Sequence, residues 1–481
     1  MSVIYVKGGT VVTHEIEYQA DVLIVDGKIV NVGNGFDVPS NAQVIDASGK
    51  YVCPGGIDPH VHIKIIFGPF QTCDDWVSAT RAAAAGGTTC LIDFVPIAKG
   101  KGHGDVLKNW EIESKKSIID YSFHMCVMDW NEEVKQALDY AVDHGVTSAK
   151  CFLAYKNSIM LGDDKDFLDF FTYAKEKGML PMTHCEDGEI IDRLQNQLAS
   201  EQKLTPDFHA KARPNWVECL GATRAIAFAN TVQVPLYIVH NTCQESVKVI
   251  ENSCDGMYPV FGEVTICHLT KTDSLYTDEN FDKAAGAVLS PPLRTETDRQ
   301  YLWNSIRRGN LITIGTDHCP FKLEAKRLGK GDFRKIPNGC PAVEERMVLT
   351  WSYGVNTGLI SPSEYVALTS TNSAKVFGMY PQKGAIQPGS DADIVIIDPK
   401  AKRVIKVSEQ KSNVDYNLWD GEEVTGIPVV TISNGKVIWE CQVENGFAKY
   451  AEGKFSGQSG EGKFIARKPF TPFVYGRKQI Q

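Results

Sequence analysis

The chain has 481 residues, of which 43% are hydrophobic and 23% are charged, and its formal net charge is −9. This composition is ordinary for a globular protein and argues against extensive disorder. An acidic chain offers no electrostatic attraction to nucleic acid or to an anionic membrane surface, so a small-molecule ligand is favoured. The N-terminus lacks a secretory pattern, no apolar run reaches the ~18 residues of a membrane span, and the thirteen cysteines form no C-x-x-C pair. We therefore expect a cytoplasmic protein with reduced thiols.

Both ends of the chain carry β-strand patterns. In residues 1–53, Asp26 and Gly27 separate two alternating apolar runs, which predicts a tight hairpin. Residues 381–448 repeat the pattern, with Asn434 and Gly435 at the turn. We predict that these two segments form one β-sandwich domain. Residues 449–481 are basic and aromatic, and we predict an arm that packs on this chain or at a subunit interface.

Residues 54–380 alternate short apolar runs with helical patterns, as parallel strands joined by helices do. One helix is predicted from Asp166 to Lys177, ending at Gly178. The strand candidates are "YVCPGGID", "TTCLIDF", "YSFHMCVM", "TSAKCFL", "LPMTH", "PLYIVH", "YPVFGEV" and "LITIGTD". Eight strands in a segment of this length predict a (β/α)8 barrel. The expected fold class is α/β, a TIM-like barrel with a β-sandwich formed by the two ends of the chain.

Five of these eight strands end in, or run into, a side chain that can bind a divalent cation. The six side chains are His60 and His62 after the first strand, Lys150 within the fourth, and His184, His240 and Asp317 at the ends of the fifth, sixth and eighth. Active sites of such barrels lie at the C-terminal ends of the strands, so we expect all six to converge. Taken alone, each histidine could be an ordinary polar residue and Asp317 could be a helix N-cap. The placement of all six side chains at or near strand ends favours a metal centre instead.

Lys150 is the least expected of these residues, because the strand around it is otherwise apolar. A buried ammonium must reach water, meet an anion or be chemically modified. Of the remaining histidines, His14, His103, His144 and His209 are predicted at the surface. His124, His268 and His318 lie nearer the strand ends and are candidates for contacts behind the ligands.

Together these motifs resemble those of the cyclic-amide amidohydrolases, and within them the dihydropyrimidinase and D-hydantoinase family. The resemblance extends over essentially the whole chain. It includes "PGGIDPHVH", "GGTTCLIDF", "SAKCFLAYKN", "THCED", "YIVHNTC", "GTDHCPF" and "GKFIARKPF". The last of these is particularly similar to the eukaryotic dihydropyrimidinases.

The resemblance implies a centre of two Zn²⁺ ions per subunit. The lysine at position 150 would be carboxylated to N6-carboxylysine and would bridge both ions. The residues that would complete the more buried metal site are His60, His62 and Asp317, and those of the other site are His184 and His240. A mixed shell of imidazole and carboxylate-like ligands suits zinc, although manganese or cobalt can occupy it too.

The resemblance also implies the catalytic and substrate-binding roles. A hydroxide shared by the two ions would be the nucleophile. Asp317 would take its proton and pass it to the leaving nitrogen, while Tyr155 would donate a hydrogen bond to the oxyanion. Main-chain groups of Ser290 and Asn338 would hold the substrate ureide, and Tyr155 would also contact the substrate.

The expected reaction is the hydrolytic opening of 5,6-dihydrouracil or dihydrothymine to an N-carbamoyl-β-amino acid, by a homotetramer with exchanged tails. A hydantoinase would use the same metal ligands, so the ligands cannot distinguish the two rings. Allantoinase and dihydroorotase are more remote alternatives. A different class is a non-catalytic, cytoskeleton-associated assembly protein of the same fold, but such relatives have lost metal ligands that are all present here.

Two segments depart from the family pattern. After His62 the chain has Lys64, Ile65 and Ile66, where many relatives carry a proline and a phenylalanine. The wall that faces ring substituents is therefore expected to differ. His184 is followed by Cys-Glu-Asp where Ala-Glu-Asn is common, so the groups behind that ligand are expected to differ too.

Overall fold

The computed structural model describes residues 2–97, 106–156, 158–253 and 258–470. Its central feature is a sheet of eight parallel strands, in which each strand pairs with the next in chain order. The strands are β1 (Gly56–Val61), β2 (Thr88–Ile97), β3 (Asp120–Val127), β4 (Ser148–Phe152), β5 (Leu180–His184), β6 (Leu236–Ile238), β7 (Val260–Thr265) and β8 (Leu311–Gly315). The predicted TIM-like barrel is confirmed.

The barrel closes between its first and last strands. Val61 forms a parallel bridge with His318, and the His62 N–H donates to the His318 carbonyl at 2.9 Å. Beside this seam the buried Asp58 carboxylate accepts from the Thr316 hydroxyl at 2.6 Å. Closure brings the His60 and His62 segment next to the segment that carries Asp317.

The first predicted strand is divided between two sheets. Tyr51–Pro54 pairs with Val3–Val12 and with Ile394–Val404 in the terminal sheet, and β1 of the barrel begins only at Gly56. The prediction of one continuous strand was therefore wrong. Periodicity cannot reveal the break because the residues on both sides of it are mostly buried, and only their pairing partners differ.

The terminal sheet combines strands from both ends of the chain, as expected for the second part of the fold. Its eleven strands are Val3–Val12, Glu17–Val25, Lys28–Gly33, Gln43–Asp46, Tyr51–Pro54, Ile394–Val404, Glu423–Ser433, Lys436–Glu440, Val443–Glu444, Phe447–Ala448 and Lys454–Phe455. Both predicted hairpins are confirmed. Asp26 and Gly27 have φ of 45° and 83°, and Asn434 and Gly435 have φ of 48° and 71°, as type I′ turns require. The domain limits themselves stay predictions.

Helices follow the barrel strands. The α-helices are Trp76–Ala85, Val106–Ser114, Glu132–Asp143, Asp164–Lys177, Gly188–Ser200, Phe208–Lys211, Asn215–Val232, Gln244–Asn252, Ile266–Thr270, Phe281–Gly286, Glu296–Arg307, Leu323–Arg327, Arg346–Thr350, Pro362–Val366 and Asn372–Val376. The predicted helix begins two residues earlier than expected, because the Asp163 carboxylate caps it, and it ends at Gly178 with φ of 64°. Across the described residues, no helix combines the length and apolarity needed to cross a membrane.

The interior of the barrel is filled by side chains. Ile57, Phe94, Met182, Phe261 and Ile312, from five different strands, belong to one buried apolar cluster. A barrel packed in this way has no room for a ligand along its axis, so its site must lie at one end.

The described part of the arm covers the end of the barrel where the strands begin. The Ile465 N–H donates to the carbonyl of Tyr121, at the start of β3, at 2.7 Å. The Arg467 guanidinium donates to Ser122 and Ser148, which lie at the starts of β3 and β4, at 3.0 and 2.9 Å. The arm thus packs on its own chain, opposite the predicted site. A role at a subunit interface stays a prediction, and residues 471–481 lie outside the described part.

A buried ammonium joins the barrel to the terminal sheet. Lys383 Nζ lies 2.5 Å from Asp393 and 3.0 Å from Asp391, and it also pairs with Asp120 at the start of β3. All four side chains are buried. The three carboxylates form a metal-like cluster, but the lysine lies among them and supplies their counter-charge.

Candidate active site

The structure brings together all six side chains that the sequence singled out as ligands. Lys150 Nζ and Asp317 Oδ1 lie 3.0 and 3.1 Å from His60 Nε2. Asp317 Oδ1 also lies 3.0 Å from His62 Nε2. The remaining two ligands, His184 and His240, meet through Nδ1 and Nε2 at 3.0 Å. Donor atoms of His60, His240 and Asp317 all lie within 4.8 Å of one another, as a metal site needs.

Three site residues have left-handed backbone conformations. His240, Asp317 and Tyr155 have φ of 38°, 52° and 65°, although none is glycine. His240 and Asp317 lie two residues beyond the ends of β6 and β8, where the chain turns. Such conformations cost about 1–3 kcal/mol each and cluster at functional sites. Their coincidence at one end of the barrel supports a functional role for this end.

Glu263 orients His60 from behind. Its Oε1 lies 2.7 Å from His60 Nδ1, which leaves Nε2 facing Lys150 and Asp317. Glu263 is fully buried and also accepts from the His240 N–H at 3.0 Å and from the Tyr237 hydroxyl at 2.9 Å. Sequence reasoning missed this residue, although a charged side chain within the apolar strand β7 is the same signal that drew attention to Lys150.

Glu186 plays the matching part behind His184. Its Oε2 lies 2.8 Å from His184 Nε2, which leaves Nδ1 facing His240. The same oxygen accepts from the Arg213 guanidinium at 2.5 Å and from the Ser290 hydroxyl at 2.9 Å. Burial raises the pKa of Glu186, but Arg213 and His184 outweigh burial and lower it to about 2. Glu186 is therefore ionised, and the glutamate that this sequence shares with the Ala-Glu-Asn pattern of its family is part of the site.

Lys150 is a buried amine that forms no ion pair within the described part of the chain. It is 2% exposed, and its Nζ lies 4.6 and 5.1 Å from the ring centres of Phe94 and Phe152. Among the described residues, no carboxylate oxygen lies within 4.0 Å of it, and its hydrogen-bond partner is His60 Nε2. Burial lowers the pKa of the ammonium. The side chain is thus poorly suited to remain a free cation.

The protonation states of His62, His240 and Asp317 favour metal binding. Burial lowers the pKa of His62 to about 4 and that of His240 well below its ordinary value, so both imidazoles are neutral at pH 7. Burial and Lys150 also lower the pKa of His60, but the carboxylates of Glu263 and Asp317 outweigh them and raise it. Burial raises the pKa of Asp317, but His60 and His62 hold it well below its ordinary range. Asp317 is therefore a carboxylate.

A cavity of about 700 Å³ opens onto this cluster, a size typical of small-molecule sites. Five of the six candidate ligands line it, and His60 lies behind them. Tyr155, Ser290 and Asn338 line it as well, so all three predicted substrate-binding residues face the same cavity. Asn338 Nδ2 lies 3.5 Å from the Tyr155 hydroxyl. Two further side chains in the walls are the apolar Met128 and Phe321.

Other histidines lie outside the cavity. His209 is 2% exposed and its Nε2 lies 2.7 Å from the Leu289 carbonyl, so the prediction of a surface position was wrong. Its short helix packs inward, which the polar pattern around it does not show. His14 is partly buried beside Lys375, His144 is exposed, and His103 lies outside the described residues. The buried set of His124, His268 and His318 bonds to backbone groups and to Ser, Thr or Asp side chains.

Comparison with known proteins identifies the family. The model of the Amidohydrolase family matches residues 51–438. The chain is 38% identical over 479 residues to a dihydropyrimidinase from Rattus norvegicus, which covers 98% of this chain and 90% of that protein. The chain belongs to the dihydropyrimidinase and D-hydantoinase family of amidohydrolases. This amidohydrolase also matches the crystal structure of a dihydropyrimidinase from Brevibacillus agri with a TM-score of 0.92 and 40% identity, over 98% of this chain and 99% of that one.

Relatives with a different activity name are equally similar to this amidohydrolase. A D-hydantoinase from Rhizobium radiobacter is 39% identical over 471 residues, which covers 97% of this chain and 99% of that protein. The comparisons thus identify a metal-dependent cyclic amidohydrolase with a small cyclic amide as substrate, but they do not resolve which ring it opens.

The residues of this amidohydrolase fit a metal centre. Four imidazoles and a carboxylate are ligands that zinc prefers. Two of the imidazoles, those of His60 and His184, have a carboxylate on the nitrogen that faces away, which is the usual support for a metal-binding histidine. The buried Nδ1 atoms of His62 and His240 have no hydrogen-bond partner among the described residues, and their Nε2 atoms face other candidate ligands, Asp317 and His184, at 3.0 Å.

Proposed function

We propose that this cyclic amidohydrolase opens 5,6-dihydrouracil and dihydrothymine by hydrolysis, giving N-carbamoyl-β-amino acids, the reaction of reductive pyrimidine catabolism. The supporting observation is the facing arrangement of six ligand-type side chains at a cavity that also presents Tyr155, Ser290 and Asn338. A six-membered ring fits within about 700 Å³. The free thiols of the described cysteines are consistent with a cytoplasmic enzyme.

We propose two Zn²⁺ ions per subunit as the cofactors. The side chains His60, His62 and Asp317 would hold the more buried ion, and His184 and His240 would hold the other. Zinc bound there supplies Lewis acidity, which lowers the pKa of water and polarises the amide carbonyl. Glu263 and Glu186 would fix the ring orientations of His60 and His184, so they act as positioning residues.

Lys150 is proposed to be carboxylated. Its lowered pKa favours the neutral amine, whose nitrogen can attack the carbon of carbon dioxide. The N–C bond forms as one proton leaves, and the product is an anionic carbamate. This change turns a buried amine into an anion with two oxygens, which could serve both proposed metal sites. The absence of a carboxylate near Nζ, within the described part of the chain, supports the assignment.

The chain's own groups would then handle charge and protons during ring opening. Asp317 is ionised, so it can accept a proton from the attacking water and deliver it to the leaving nitrogen. Burial raises the pKa of Tyr155, so its hydroxyl keeps its proton and can donate it to the developing oxyanion. Main-chain groups of Ser290 and Asn338 would hold the ureide. Arg213 contacts two of these substrate-binding residues: its guanidinium lies 5.3 Å from the Tyr155 ring centre and donates a hydrogen bond to the Ser290 hydroxyl.

The second candidate is a hydantoinase, which is favoured by the D-hydantoinases of 38–39% identity among the relatives. We also propose a homotetramer, which sedimentation of the full chain tests. Steady-state kinetics of the zinc-loaded protein on dihydrouracil, dihydrothymine, hydantoin, allantoin and dihydroorotate distinguish the rings. The highest kcat/KM is expected for dihydrouracil. Negligible turnover of dihydrouracil beside rapid hydantoin opening would overturn the choice of ring.

The same preparation tests the non-catalytic alternative. An assembly protein would hold under one equivalent of zinc per chain and would show no added carbon dioxide mass on Lys150. An enzyme should hold two equivalents and carry the modification. Elemental analysis and intact-protein mass spectrometry under native conditions give both readouts.

A further inference from the structure

One ion pair faces the cavity beside the proposed metal centre. Of the described residues that line the cavity, Lys64 and Glu113 are the two that carry a charge outside that centre. Lys64 follows His62 by two positions in the loop after β1, and Glu113 lies on the helix Val106–Ser114. Lys64 Nζ lies 2.7 Å from Glu113 Oε2, and the side chains are 40% and 37% exposed. Both groups are therefore accessible to a solute in the cavity.

A second lysine shares the carboxylate of Glu113. Lys116 Nζ lies 3.2 Å from the same Oε2, but Lys116 does not line the cavity. The hydrogen bonds from Lys64 and Lys116 lower the pKa of Glu113, so the glutamate is ionised. Two cations and one anion leave a net charge of +1, and the cation that faces the cavity is Lys64. An anionic group entering the cavity would balance this charge.

The positions of Lys64 and Glu113 are held by one buried side chain. Asp93 accepts from the Ile63 N–H at 2.8 Å and from the Trp110 Nε1–H at 2.6 Å. Ile63 immediately precedes Lys64, and Trp110 lies one turn before Glu113 on the same helix. Lys64 itself has φ of 58°, which L residues seldom adopt. The loop and the helix are thus fixed to each other at this side of the cavity.

Apolar and aromatic side chains form much of the wall, which also includes the polar Gln71 and Asn109. Ile65, Ile66, Trp110 and Phe152 line the cavity together with Lys64. A substituent on the bound ring would therefore meet hydrocarbon and aromatic surface beside the Lys64 and Glu113 ion pair, which together with Lys116 has a net charge of +1. This combination suits a short side chain that has methylene groups and ends in an anion.

We propose that Lys64 binds a carboxylate on the ring substituent, so that the substrate class of this enzyme includes cyclic amides with short acidic side chains. The proposal rests on the proposed ring hydrolysis. Lys64 belongs to the segment after His62 in which this sequence departs from its family. The proposal explains that departure as a difference in the substrates that the enzyme selects.

A matched pair of substrates tests it. The pair is 5-carboxymethyl-5,6-dihydrouracil and its carboxamide, which share a shape and differ in charge. We expect kcat/KM to be about fivefold higher for the acid at low ionic strength, as a partly exposed ion pair gives. The preference should fall toward unity in ~1 M salt, which screens such a pair. Lys64→Met should remove the preference, and Lys64→Glu should reverse it.

Lys115→Met is the matched control. Lys115 is exposed beside the end of the same helix and does not line the cavity, so its loss removes one positive charge without changing the site. The acid-to-amide ratio should stay at the wild-type value. Equal kcat/KM for both substrates in the wild type would overturn the proposal. An equal loss with both substrates in Lys64→Met would overturn it too, because that is the result of a purely structural ion pair.

Failure of the proposed function gives a different result. If neither unsubstituted dihydrouracil nor hydantoin is opened, ring hydrolysis is wrong, whatever the role of Lys64. Equilibrium binding of the acid and the amide, compared between the wild type and Lys64→Met, then still decides whether Lys64 recognises the anion. Tighter binding of the acid by the wild type alone supports the proposal, and equal binding refutes it.

Discussion

Glu263 is the residue behind the candidate metal centre whose contribution can be worked out most directly. In Glu263→Gln, Oε1 can keep the bonds from His60 Nδ1 and the His240 N–H, which measure 2.7 and 3.0 Å. The new amide group would face the Tyr237 hydroxyl, which can turn its proton to Thr313 Oγ1 at 2.6 Å. The substitution therefore removes a charge and leaves every bonding position filled.

The magnitude follows from the difference between charged and neutral hydrogen bonds. A bond to a charged group contributes about 1.5–3 kcal/mol and a neutral one about 0.5–1.5 kcal/mol. Weakening the His60 and His240 bonds by about 1 kcal/mol each gives roughly 2 kcal/mol, which lies within the 10- to 100-fold loss of metal affinity typical of such supporting groups. We expect Glu263→Gln to bind zinc about 10- to 100-fold more weakly, with its fold intact.

Competition with a zinc chelator measures this affinity, and circular dichroism checks the fold. Glu218→Gln is the control, because Glu218 is also buried and bonds to Thr242 and Arg294 without touching a candidate ligand. Its variant should lose stability and keep its zinc affinity. A folded Glu263→Gln protein with zinc affinity within twofold of the wild type would refute the reasoning.

Four further predictions concern the site and the fold. Lys150→Ala should lose bound zinc and activity together in elemental analysis and turnover assays, and an active, metal-replete variant would contradict a bridging role. Tyr155→Phe should lower kcat about 10²- to 10³-fold at unchanged zinc content, because one oxyanion donor is lost; a loss below tenfold would exclude that role. Burial lowers the pKa of His209 to about 3. Below pH 6.5 the unfolded state therefore binds a proton that the folded state does not, and the free energy of unfolding falls by up to about 1.4 kcal/mol per pH unit. Urea unfolding between pH 6.5 and 5 should show a smaller slope in His209→Gln, and an equal slope would count against this origin. Lys383→Met leaves the buried carboxylates of Asp120 and Asp393 without a cation, whereas Asp391 keeps Lys28 at 2.6 Å, and it should lower the free energy of unfolding by about 3–5 kcal/mol. An unchanged urea midpoint would contradict it.

Local signals identified the strands and the six candidate ligands. Apolar runs of strand length, turn pairs such as Asp26 and Gly27, and polar side chains at strand ends are written in consecutive residues. The rule that barrel sites lie where the strands end then places residues far apart in the chain at one point. The roles of those residues as metal ligands remain predictions, because they rest on chemistry that the family implies.

The groups that support the site could not be found in the same way. Glu263 and Glu186 matter because their carboxylates lie against particular nitrogens, a relation set by three-dimensional distance. Glu263 carried a weak signal as a charge within an apolar strand, whereas Arg213 carried none. The ion pair of Lys64 with Glu113 joins residues 49 positions apart, so sequence showed only that the segment was unusual.

The sequence alone determined the barrel, the terminal sheet and the convergence of six side chains, because periodicity, turn residues and strand ends are local properties. The tertiary structure alone decided which nitrogen of each candidate histidine ligand faces inward, that no carboxylate oxygen of the described residues lies within 4.0 Å of Lys150 Nζ, and that His209 is buried. It also divided the first predicted strand at Gly56 between two sheets. These features depend on which surfaces pack against each other, and long-range packing leaves no pattern in neighbouring residues.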